Sequence, residues 1–170
     1  MSDPRSSQPP NPAFEITLGV AEGYFAMEMW EDAWAALAEI QPEFRLTPQV
    51  IMLRVLILNN LQRWEEAAII GNEALRHYPD FGALYVATAH ALRQCEGAAA
   101  AKAVLAAGEQ FLEDEAIFHY MLACYDSALG NLADAKEGLS RAFELEKGFR
   151  LKALDEPDLA PLWDSIGEFP

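Results

Sequence analysis

The side chains best suited to nucleophilic or metal chemistry in this chain are three histidines, His77, His90 and His119, and two cysteines, Cys95 and Cys124. A structural zinc site needs four such ligands, usually as two closely spaced pairs. Here the histidines lie far apart, and neither cysteine has ligand spacing with them. His119 shares a packing column with Ile51 and Tyr85, which marks it as a core or boundary residue. Cys95 falls near a helix end and Cys124 within a helix, and two cysteines make no disulfide framework. The nucleotide-loop, dinucleotide, nucleophile-elbow, zincin and C-x-x-C patterns are all absent. Acidic pairs such as Glu31-Asp32 and Glu65-Glu66 recur where a helix begins, and there they meet the positive end of its dipole. The expectation is a protein with no catalytic residues, no metal ligands and no cofactor.

The charge balance narrows the partners. Twenty-seven acidic against 12 basic residues give a formal charge of −15, the wrong sign for nucleic acid or anionic membrane. A basic or apolar peptide is the better match. The longest apolar run, residues 50–58, spans nine positions and contains Arg54, too short and too polar to cross a bilayer. The first 12 residues hold four prolines and no apolar core, so they read as a flexible leader and not as a signal peptide. A cytoplasmic location is expected.

What positions these side chains is a repeat. Adding 34 to a residue number again and again aligns Ala33, Ala67, Ala101 and Ala135. Trp30, Trp64, Ala98 and Leu132 form a column three residues earlier, and Ala21, Val55, Ala89 and Ala123 another in the preceding helix. Tyr24, Leu58, Leu92 and Asp126 follow three residues after those. Leu37, Gly71, Leu105 and Leu139 share a column, as do Ile40, Ala74, Gly108 and Ala142. Two antiparallel helices packed closely need small residues where their axes approach, with large ones filling the grooves beside them.

The stretches VAEGYFAMEMWEDAWAALAEI, NNLQRWEEAAIIGNEALRHYP and LACYDSALGNLADAKEGLSRAFEL resemble tetratricopeptide repeats (TPRs) in the order of small residue, aromatic, turn, aromatic and alanine. Pro79 stands at the proline that usually ends a unit, while the third unit lacks the aromatic that begins a second helix. The resemblance implies an all-α, right-handed α-solenoid of four tandem helix-turn-helix units, approximately 14–47, 48–81, 82–115 and 116–149, within a domain at 13–150. Residues 151–170 carry Leu151, Leu154, Leu159, Leu162, Trp163 and Ile166 around Pro157 and Pro161. That segment reads as a C-terminal cap over the last apolar face, or as an internal ligand swung into the groove.

In such arrays the first helix of each unit lines a concave face. Projected at helical spacing, the partner-binding candidates are Leu18, Met52, Val86 and Tyr120; then Glu22, Leu56, His90 and Cys124; then Phe25, Asn59 and Arg93, with Asn60 beside them. The asparagines suit a peptide backbone and Arg93 a carboxylate. The lysine and asparagine clamp by which one class of these proteins holds chaperone C-termini has no counterpart, since Leu18, Glu22, Leu53 and Ala83 stand there. The expected function is a non-catalytic adaptor that binds a peptide or helix of another protein in its groove. The alternatives are a chaperone similar to the TPR chaperones of bacterial type III secretion, or a structural subunit of a larger complex.

Overall fold

The computed structural model describes residues 11–168, so the expected leader falls outside the described residues except for Asn11 and Pro12. The chain is all-α, with no strand among the described residues. Helix α1 (Pro12–Ala26) starts on Asn11, whose Oδ1 accepts the N–H groups of Ala13 and Phe14 at 3.1 and 3.2 Å, with proline in the first turn. The remaining helices are α2 (Trp30–Ala38), α3 (Pro48–Asn60), α4 (Trp64–His77), α5 (Gly82–Cys95), α6 (Ala98–Ala107), α7 (Ala116–Ala128), α8 (Leu132–Leu145) and the short α9 (Phe149–Asp155). Short 3-10 turns at Pro42–Phe44 and Glu109–Phe111 join units, and a longer 3-10 segment, Pro157–Glu168, ends the described chain.

Second helices begin at 30, 64, 98 and 132, a strict interval of 34. Each first helix ends in the same 6→1 closure: the N–H groups of Met29, Arg63, Gly97 and Asn131 donate to the carbonyls of Tyr24, Leu58, Leu92 and Asp126 at 2.9–3.0 Å. A left-handed residue makes each turn possible, Glu28, Gln62 and Gly130 at equivalent positions. In the third unit α5 runs one residue longer, and the left-handed position passes to Gly97.

Helices pack in neighbouring pairs, α1 on α2, α3 on α4, α5 on α6 and α7 on α8, and each pair then stacks on the next. The small columns lie where helices approach. Ala21, Ala33, Val55, Ala67, Ala89, Ala101 and Ala135 are fully buried, and Ala123 is 1% exposed. Gly71 shows the demand at its sharpest, because a Cβ there would sit 2.2 Å from Thr88 Oγ1.

Apolar packing falls into two clusters that share α3. Val50, Leu53 and Ile57 face Leu18, Ala21, Ala33, Leu37, Ile40 and Phe44 of the first pair. Ile51, Val55 and Leu58 belong to the larger cluster that runs through the later pairs into Phe149, Leu159, Leu162 and Ile166. Asp126, whose partner the sequence does not reveal, is buried and receives Lys102 Nζ at 2.5 Å and Asn131 Nδ2 at 3.0 Å. A buried carboxylate is tolerated only with such partners.

Candidate functional site

Because α3, α5 and α7 follow one another along the same side of the stack, their outward residues converge on one groove of about 870 Å³. Met52, Leu56, Asn59 and Asn60 come from α3, Val86, Ala87 and His90 from α5, and Ile117 and Met121 from α7. Trp64 and Gln62 close one end and Phe111, Leu112 and Glu115 the other. Met52, Leu56, Val86, Ile117 and Met121 are all half-buried, so an apolar floor remains partly open to solvent. Such a floor is the usual lining of a binding groove.

Its polar groups are few. Asn59 is 7% exposed and donates Nδ2–H to the Ala87 carbonyl at 2.9 Å, while its Oδ1 is buried without a partner among the described residues. Asn60 is exposed and bonds back to the Leu56 carbonyl at 2.8 Å. The His90 ring meets Trp64 edge-on with centroids 5.6 Å apart. Desolvation lowers its pKa, opposed by the carboxylate of Glu156. His90 retains an exposed edge, so the desolvation is partial.

The other sequence candidates sit elsewhere. Leu18 is 8% exposed and packs in the first cluster with Val50, Leu53 and Ile57 of α3, on the interhelical side and not in the groove. Phe25 lies half-buried against Trp30, centroids 5.0 Å apart, and Glu22 is exposed; neither lines the groove. Tyr120 and Cys124 are 7% and 5% exposed, covered by the C-terminal segment. The Tyr120 ring lies 4.7 Å from that of Phe149. Burial pushes both the Tyr120 hydroxyl and the Cys124 thiol well above their ordinary pKa values, which leaves the thiol inert.

The C-terminal segment packs on α7 and reaches α5, and none of its described residues lines the groove. Leu159, Leu162 and Ile166 bury themselves against α7 and its neighbours, and the Trp163 indole N–H closes the segment on the Ala153 carbonyl at 3.0 Å. Asp158 then reaches α5, where Arg93 Nε and Nη2 grip its carboxylate at 2.8 and 2.5 Å. Arg93 does hold a carboxylate, but one from its own chain. Hydrogen bonding to Asp158 raises the Arg93 pKa further. Leu151, Leu154 and Trp163, also expected in the cap, stay 74%, 49% and 41% exposed.

The groove residues absent from the sequence-derived rows are chiefly Ile117 and Met121. Their signal was available: adding 34 to Ala83 and Ala87, which also line the groove, lands on them. No three or more histidine, cysteine or acidic side chains gather for a metal ion among the described residues. No helix of the described residues is long and apolar enough to cross a membrane. No protein-family model matches the chain, and no curated protein matches it.

Proposed function

We propose that this chain is a four-unit tetratricopeptide array, a right-handed α-solenoid, that works as a non-catalytic binding module for an apolar peptide or helix of another protein. The observation that carries the reading is the groove between α3, α5 and α7, an apolar floor of about 870 Å³ supplied by three successive first helices. The repeat reading draws support from the 34-residue interval of the second helices, the repeated turn closure and the buried small columns. An apolar segment laid along Met52, Leu56, Val86 and Met121 would gain roughly 25 cal/mol for each Å² of apolar surface removed from water. Glu115 at the rim favours a basic flank.

The test is a pull-down from native lysate by the immobilised full chain, run beside Leu56→Asp and Met121→Asp. Both positions are half-buried on the groove floor, so the variants should keep helical circular dichroism. A protein retained by the parent and lost from both variants supports the groove. Equal retention by folded variants sinks it.

A further inference from the structure

On another part of the surface, sharing no residue with the groove, a second cavity of about 510 Å³ opens between the loop before α3, α3 itself and α4. Its walls are apolar: Leu46, Ile51, Ile69, Ile70 and Tyr78. One cation stands among them, Arg54.

Arg54 is exceptional in a chain so rich in acid. Arg63, Arg76, Arg93 and Arg141 each take a carboxylate. Arg45 spends its donors on the carbonyls of Ile40 and Ala38 at the end of α2. Half-buried Arg54 makes no hydrogen bond or ion pair among the described residues. The one carboxylate lining the cavity, Glu73, is already engaged by Arg76 at 2.7 Å and His77 at 3.3 Å. Desolvation and the neighbouring Arg45 charge both lower the Arg54 pKa, and an anion in the cavity would offset both.

We infer that this cavity is a second docking site, for a protein segment in which a single aspartate or glutamate is flanked by large apolar residues. The carboxylate pairs with the Arg54 fork, whose geometry suits bidentate contact. The flanking side chains cover Ile51, Ile70 and Tyr78. The apolar surroundings select a protein segment over a small acid, and the net charge limits how acidic that segment is. Leu46 and Ile69, 70% and 69% exposed, extend the apolar surface past the mouth of the cavity. The net charge of −15 repels a polyacidic ligand, so the occupant brings one carboxylate and otherwise apolar contacts.

The test is an NMR titration of the full chain with a blocked peptide of sequence GLFDLG, its GLFNLG counterpart, and octanoate. The aspartate peptide should shift the Arg54 Nε–H resonance and the methyls of Ile51, Ile69 and Ile70, with at least tenfold higher affinity than the asparagine peptide. Arg54→Gln should abolish that preference and Arg54→Lys should restore part of it. Ile69→Ala, at an exposed position, should weaken both peptides while leaving the preference intact. Equal affinities for the two peptides, binding of neither, or binding of octanoate alone would each overturn the inference.

Discussion

Along one face of α7, residues alternate between two environments. Ile117 and Met121 look onto the open groove, whereas Tyr120 and Cys124, each three residues further on, are sealed beneath the C-terminal segment. In the preceding first helix no such division exists, since Val86 and His90 line the same groove as Ala83 and Ala87. A repeat position therefore has no fixed exposure. It is set by what stacks next, another helix pair in the middle of the array or an irregular segment at its end.

The largest test of this contrast removes the segment. Deleting residues 151–170 strips Leu159, Leu162 and Ile166 from the core, each worth about 1.5–3 kcal/mol when fully buried. Urea unfolding should show a loss of roughly 5 kcal/mol or more, or a chain that self-associates in light scattering. Cys124 should become reactive to a thiol reagent that leaves it untouched in the parent. A truncated chain that stays monomeric, stable and unreactive would erase the distinction between the two sides of α7.

A pair of matched substitutions gives the next largest effect. Tyr120→Asp buries a charge against Phe149 and should cost roughly 3 kcal/mol or more, while Leu56→Asp on the open floor should cost about 1 kcal/mol. The sequence rows place both residues on the groove. Similar thermal shifts for both would mean that the segment does not seal its side.

Smaller still is the clasp between segment and array. Asp158→Asn leaves the shape but removes the charge that Arg93 grips, with side chains 20% and 32% exposed. The expected loss is about 1 kcal/mol, shrinking as salt is added, because partly exposed pairs are screened. Salt-independent melting of the parent and variant alike would remove the clasp from the account.

The smallest effect belongs to the groove side and is read by pH. The folded pKa of His90 lies below its ordinary 6.5, so the unfolded chain binds the extra proton first as pH falls. This residue should therefore add no instability above that value and a growing penalty below it, down to its folded pKa. Comparing His90→Gln with the parent, the parent should lose slightly more stability between about pH 7 and 5. Parallel curves would show that the imidazole is as well solvated folded as unfolded.

The helix pairs were legible in the sequence because a 34-residue interval imprints both the packing columns and the turn closures. Ala33 and Ala67 needed nothing beyond that interval to be placed. Six of the twelve sequence-derived candidates were placed on the groove for the same reason: Met52, Leu56, Asn59, Asn60, Val86 and His90. Tyr120 and Cys124 were misplaced because carrying a row forward by 34 assumes an identical neighbour, and the fourth pair has the irregular segment instead. Leu18 failed because it packs into the first cluster with Val50, Leu53 and Ile57. The contacts of Lys102 with Asp126 and of Arg93 with Asp158 join residues 24 and 65 apart, intervals that no periodic pattern carries.

The division of the apolar core across α3 bears on how the molecule comes apart. With Val50, Leu53 and Ile57 turned to the first pair and Ile51, Val55 and Leu58 to the rest, α3 is held from both sides. Among the described residues, α1 and α2 pack outside their own pair chiefly on α3, with Ile16 and Val20 left 68% and 47% exposed. Opening of this pair would leave the larger cluster intact, so amide protons of α1 and α2 should exchange through a sub-global fluctuation below the cost of whole-chain unfolding. Among the described residues, hydrogen exchange should therefore show the first pair opening more readily than the pairs that share the larger cluster.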